Sequence, residues 1–241
     1  PGDMATALPG GICVGQHSVC LIRAARLDST CNIQTGTDNG FVTTGIITAT
    51  ATPEIKEGQT FEPETGCGDI AWQYETADRI KAHNVSGELA FFDHELMEVL
   101  FGGTLIVGDT GTGFAGDNIG WAAPDHTDAS PPDPVYLEFI VKTAGAGVGE
   151  CDTGGTFAAA VGHIFGRGRY VPGDRTFAAE AATVAFTGTS YANPNLGDGP
   201  WGDYPGTGDI PNSSHVEVSY SASEYAAILA AADCGYQDIP T

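Results

Sequence analysis

Turn formers are spread so densely through this chain that its architecture is bounded before any motif is read. Glycine fills 34 of 241 positions and proline 14, so one residue in five bends or breaks regular structure. Glycine at about 14% is twice the usual ~7%. Helical bundles and coiled coils need long uninterrupted periods and are excluded, whereas many strands joined by elaborate loops fit. At this length about 70% of the unfolded surface can be buried, so a core needs no metal or disulfide to support it. No window approaches the ~18 uninterrupted apolar residues of a membrane span. The expectation is a single mainly β domain over residues 1–241, with no clean linker and no repeat.

Period-two alternation marks the strands. In Val135–Thr143, Val135, Leu137, Phe139 and Val141 share one face, and Glu138 and Lys142 the other. His215–Tyr220 sets Val216, Val218 and Tyr220 opposite His215, Glu217 and Ser219. Further strand candidates are 12–22, 41–51, 69–74, 87–92, 104–107, 157–165 and 181–188. Two helices are predicted. One has Asp93 as N-cap, the body HELMEVLF and the terminator Gly102-Gly103. The other begins at the capping box Ser221…Glu224 and runs toward Gly235. Residues 108–134 and 189–214 read as two long loops, longer than the ~15 residues beyond which loops are functional, interfacial or disordered. Trp121, Trp201 and Tyr204 in them are either anchors for a partner surface or pins to their own domain.

The net charge of −22 comes from a shortage of bases: 31 acids stand against 9 Lys and Arg. Only Arg167, Arg169 and Arg175 cluster, a poor footprint for nucleic acid. The six cysteines (13, 20, 31, 67, 151 and 234) include no C-x-x-C pair, which excludes zinc-ribbon and thioredoxin readings. Their redox state stays open between buried thiols and at least one bridge. PGDMATALPGG at the start has no basic region followed by an apolar stretch, and Pro1 suits a trimmed initiator Met; a chain without a secretory leader is expected.

No motif completes a catalytic constellation. Gly111, Gly113 and Gly116 spell G-x-G-x-x-G, but DNIGWAAPDHTD after them cannot form the helix a dinucleotide site needs. Asp109-Thr110-Gly111 and Asp152-Thr153-Gly154 resemble aspartic-protease tripeptides, yet lie too close for one per lobe; they read as Asp-started turns. His94-Glu95-Leu96-Met97-Glu98 starts like H-E-x-x-H but lacks the second histidine, and the remaining histidines are scattered. EIKEGQTFEPE (54–64) lacks calcium spacing and reads as a solvated loop. The expectation is no enzyme, with no catalytic, cofactor-binding or metal residues.

Two stretches carry a family resemblance. GELAFFDHELMEVLFGGTLI (87–106) pairs a strand with a short helix and a double-glycine stop. RYVPGDRTFAAEAATVAFTGTSYANPNLGDGPWGDYP (169–205) joins a strand to an N-P-N-x-G-D-G-P-[aromatic]-G-D loop. Both resemble the major tail proteins of long, non-contractile-tailed bacteriophages of actinobacterial hosts, over roughly a quarter of the chain. The resemblance implies a β-sandwich or split barrel with a flanking helix, supplied by 93–101 or 223–233. It further implies stacked hexameric rings around a tape-measure protein, contacts with tail-terminator and tail-tip proteins, and a bore that conducts DNA without binding it. The implied location is the virion tail, after assembly in the host cytoplasm. With the capped helix ending at Gly235, the immunoglobulin-like domain that some relatives append is not expected here.

Six copies at −22 each would carry about −132, and acids on a bore would keep DNA off its wall within the ~8 Å reach of unscreened charge. Glu88 and Glu138 are the strand-borne candidates for lining it. Competing readings are another virion component, such as a capsid decoration or tail-terminator protein, and a secreted carbohydrate-binding β-sandwich or a hydrolase.

Overall fold

A computed structural model describes residues 16–63, 70, 72–90, 93–111, 113–125, 132–143, 159–177, 182–231 and 235–240. In chain order these form β1 (Gln16–Arg26), β2 (Gly36–Thr43), β3 (Ile46–Lys56), β4 (Thr60–Phe61), β5 (Tyr74–Glu75) and β6 (Arg79–Leu89). Helix α1 (His94–Phe101) precedes β7 (Thr104–Val107), β8 (Asn118–Ala122), β9 (Val135–Thr143), β10 (Ala160–Phe177) and β11 (Ala182–Tyr191). The chain closes with β12 (Val216–Tyr220), α2 (Ala222–Ala231) and β13 (Gly235–Ile239).

The protein is mainly β, and its strand pairings are antiparallel. One sheet runs β13-β2-β1-β9-β10-β11-β6-β3, and β12 pairs the first part of β10. Long β10 makes this possible. Its residues 160–164 pair β12, and after Arg167 the same edge passes to β11. The sheet curls until β3 comes against β1, where Val19 and Ala49 pack on one core. The result is a split-barrel sandwich with short flanking helices, as the resemblance implied.

Helix α1 fills the concave face. The Asp93 carboxylate accepts from the backbone N–H of Glu95 and Leu96, and Gly102 ends the helix at φ 70°. Gly103 follows at φ 97°, with the Ala122 carbonyl where a Cβ would stand, so the double glycine is sterically required. Leu96, Met97, Val99, Leu100 and Phe101 are all buried, and the helix packs against β1, β2, β8 and β10. Each fully buried side chain of this kind contributes about 1.5–3 kcal/mol. A second apolar layer covers the outer face of β1, β9 and β10, built from Leu196, Ile210 and Trp201 of the 192–215 segment and from Ile228 of α2.

That outer cover changes the reading of β9. Alternation predicted one polar face, but both faces are buried and Lys142 alone is exposed. Four other expectations are corrected. Residues 108–134 contain β8, which pairs β7 through Leu105↔Trp121. The span 41–51 breaks into β2 and β3, with Gly45 between them, and within 54–64 the described residues include the end of β3, paired to β6, and β4, paired to β5. Among the described residues of 69–74, only Tyr74 belongs to a named strand. No helix among the described residues is long and apolar enough to cross a membrane.

Candidate functional site

The outer layer is held by a buried charged network. Arg23 and Glu138 face each other across β1 and β9. Glu138 is wholly buried and Arg23 is 3% exposed. Arg23 Nε and Nη2 donate to Glu138 Oε2 at 2.9 and 2.6 Å, and Nη1 donates to Asp203 at 2.5 Å. Tyr220 donates to Glu138 Oε1 at 2.7 Å and Tyr136 to Oε2 at 3.1 Å. Trp201 covers the guanidinium at 4.6 Å. Burial works to lower the Arg23 pKa, and the two carboxylates outweigh it, so the net shift is upward and the charge is held. Burial, then the Glu138 charge, pushes Tyr136 and Tyr220 up, keeping both as donors. Asp203, Trp201 and Tyr204 thus pin the 192–215 segment to the sheet. Glu138 cannot line a bore, which corrects that assignment.

Histidines scattered in sequence converge in space. His163 on β10 pairs with Glu217 on β12, and His215 lies two residues before Glu217 on the same face. His163 Nδ1 meets His215 Nε2 at 3.1 Å; Glu217 lies 3.6 Å from the first and 4.0 Å from the second. His83 of β6 stands 5.1 Å from His215, ring to ring, and bonds Ser214 Oγ at 2.8 Å. Burial lowers the pKa of all three; His215, with the other two imidazoles as further causes, is pushed down to about 4.

Three donors from His163, His215 and Glu217 match the number a metal takes from protein. A point equidistant from them lies about 2.1 Å from each, a normal bond length. Orientation decides otherwise. The two rings are parallel within 4° with centroids 5.4 Å apart, the separation of coplanar imidazoles whose nitrogens meet head on. Their lone-pair axes are therefore aimed at each other and not at a common third point. This is a shared-proton N–H···N pair, and a metal would require both rings to turn. The Ser214–His83 bond resembles a nucleophile–base pair. Ser214 is 6% and His83 8% exposed, so a substrate carbonyl has no approach to it.

The motif residues lie apart from this cluster. Gly111, Gly113 and Gly116 form the turn between β7 and β8, with a strand after them. Asp109 accepts from the Thr110 N–H at 2.7 Å, an Asp-started turn, while Asp152–Gly154 lie outside the described residues. On α1, Glu95 accepts from Asn118 at 2.7 Å, and Glu98 from Tyr236 at 3.0 Å and from Arg26. These side chains bind the helix to its own domain. Trp121 donates to the Gly102 carbonyl at 2.8 Å and lies under Arg175 at 5.4 Å, so it too is a pin. Cys20 and Cys31 are free thiols, and the other four cysteines lie outside the described residues.

Two surface features remain. Among the described residues, fourteen large apolar side chains are exposed, and eleven sit on two ribbons. Ile47, Ile55, Phe61, Ile70, Trp72, Tyr74 and Ile80 belong to the β3–β6 ribbon and its β4–β5 tip; Ile106, Val107, Phe114 and Ile119 belong to the β7–β8 hairpin. A concavity of about 970 Å³ lies over β6, β10 and β11 and presents Arg167, Arg169, Tyr191, Asn84 and Thr187. No protein-family model matches the chain, and comparison with curated proteins returns no match.

Proposed function

We propose that this chain is a phage tail tube subunit that polymerises as stacked, hexameric rings around a tape-measure protein, forming an acidic conduit for DNA. The observation that carries this reading is the concentration of exposed apolar side chains on the β3–β6 ribbon with its tip and on the β7–β8 hairpin. Exposed apolar patches of this kind mark contact surfaces. A two-stranded ribbon is marginal by itself in water and gains its stability from what packs on it. Here β4 and β5 pair only with each other, and Phe61, Trp72 and Tyr74 are about half exposed.

The rest of the molecule supports the same role. The curled sheet is rigidly filled on both faces, and its long 192–215 segment is locked by the Arg23–Glu138–Asp203 network. A rigid body with adhesive ribbons suits a repeating wall. The −22 charge leaves little to hold phosphate, and lining the bore falls to exposed acids in place of Glu138. On this reading the protein works in the virion tail, and the tail-terminator and tail-tip proteins close the ends of its polymer.

Negative-stain microscopy of the purified protein across a concentration series tests the proposal. Hollow tubes of uniform bore are the expected result. Closed rings that never stack would indicate a terminator, and monomers throughout would count against any polymer.

A further inference from the structure

Of the nine basic residues, Arg23, Arg26 and Lys81 are engaged in ion pairs within the chain, and Arg175 covers Trp121. Arg167 and Arg169 differ. They stand two apart on one face of β10, forming no ion pair with a described carboxylate, and both open into the 970 Å³ concavity of an acid-rich protein. Arg167 lies over the Tyr191 ring at 5.7 Å and donates to Cys31 Sγ at 3.5 Å, so its guanidinium is pre-positioned. Two arginines beside an aromatic ring suit carboxylates and aromatic faces together. They are too few to hold a polyanion against a net charge of −22.

The complementary surface is on the same chain. The β4–β5 tip carries Glu57, Glu62, Glu75 and Asp78, all exposed, around the exposed aromatic rings of Phe61, Trp72 and Tyr74. Within one copy the tip cannot serve its own groove. Thr52 and Asn84, partners across β3 and β6, form part of the groove wall, and the ribbon runs on from there through Lys56↔Arg79. Each further residue carries the tip about 3.3 Å away from the groove.

We propose that the acidic, aromatic β4–β5 tip of one copy docks in the Arg167–Arg169–Tyr191 groove of a second copy. The contact is heterologous: tip meets groove, so each copy keeps one of each free, and the rotation between copies decides whether such contacts close a ring or run on from ring to ring along an axis. This inference rests on the reading of the chain as a subunit of an open polymer, and names the surfaces that would join.

Charge reversal tests it. Protein carrying Arg167→Glu and Arg169→Glu has two acidic partners, and protein carrying Glu62→Lys and Glu75→Lys has two basic ones. Each alone should lose about tenfold or more of its sedimenting polymer, because like charges then meet at the contact. Mixed one to one, they should assemble again, since tip and groove alternate in sign along the chain of copies. Thermal unfolding near the wild-type temperature checks that each variant folds. Should the reversed groove not fold, the neutral pair R167Q and R169Q must show the same loss. Reversed variants that polymerise alone like wild type, or a mixture that stays dispersed, would overturn the contact while wild-type tubes left the polymer reading standing. Wild-type protein that stays monomeric through the series would overturn both.

Discussion

Arg23 and Glu138 are direct register partners on β1 and β9, and two nitrogens of the guanidinium converge on the single oxygen Glu138 Oε2. The other oxygen accepts from Tyr220, so this buried carboxylate takes four hydrogen bonds in all. An ion pair so deep gains stability only while both partners remain. Replacing Arg23 leaves Glu138 an uncompensated buried charge, and replacing Glu138 leaves the guanidinium only the partly exposed Asp203. Glu138→Gln is therefore expected to cost about 3–5 kcal/mol in urea unfolding. The double variant R23M/E138L should lose less than either single one, because the apolar pair removes both desolvation costs. A double variant worse than both singles would refute this account.

Gly162 makes room for that pair. A Cβ there would stand 2.6 Å from Glu138 Oε1 and 2.7 Å from the Tyr220 ring. Neither group can retreat, since each is buried and bonded to the other. Gly162→Ala should destabilise by about 1–3 kcal/mol through overpacking. Denaturant midpoints of the variant in wild-type and E138Q backgrounds check it: the penalties should not add, as the two sites share one network.

The histidine cluster makes stability depend on acid. His215 titrates near 4 when folded and near its ordinary value of about 6.5 when unfolded, so the unfolded chain binds a proton first. The stabilisation is complete above about 6.5 and is lost as pH falls toward 4. His163, His83 and Glu217 are the ionisable groups around the ring, and only Glu217 favours its charge. His215→Phe keeps the 4.9 Å stacking on Phe165 and removes the proton site. Melting temperatures from pH 4 to pH 7 should fall less steeply for that variant than for wild type.

Local rules were enough to read much of this fold from the chain alone. Asp93, the body 94–101 and Gly102-Gly103 delimit α1 as its capping chemistry demands, and β7 occupies the span its apolar run marked. The burial of Glu138 escaped those rules because alternation reports which residues share a face, and not what covers that face. The cover comes from residues more than fifty positions away in sequence. One signal was present: Arg23 in CLIRAA and Glu138 in YLEFIV are lone charges in apolar runs, and such charges are buried only when paired. The β10–β12 register brings His163 beside His215, and the bond of His83 to Ser214 joins β6 to them, which no spacing along the chain encodes.

The capping box at α2 offers a smaller test. Ser221 N–H donates to Glu224 Oε2 at 2.7 Å and Glu224 N–H donates to Ser221 Oγ at 3.3 Å. The backbone bond to Ser221 holds the Glu224 carboxyl below its ordinary range, so this contribution persists above that range and fades as acid protonates it. Ser221→Ala removes the hydroxyl acceptor and should cost about 1 kcal/mol in denaturant unfolding at neutral pH.

Trp201 separates packing from hydrogen bonding. It lies over Arg23, stands edge-on to Tyr136 at 6.3 Å, and packs against both outer clusters. Its Nε1 is buried with no hydrogen-bond acceptor among the described residues. An unpaired buried donor is a cost, and an aromatic ring without it keeps most of the contact. Trp201→Phe is expected to change stability by less than about 1 kcal/mol, while Trp201→Ala should lose about 3 kcal/mol. The alanine variant should also become sensitive to protease within 192–215, because that segment loses the ring that spans Arg23 and Tyr136. Mass spectrometry of the first cleavage products locates the cut; an alanine variant cleaved first elsewhere would show that Asp203 alone is enough to hold the segment down.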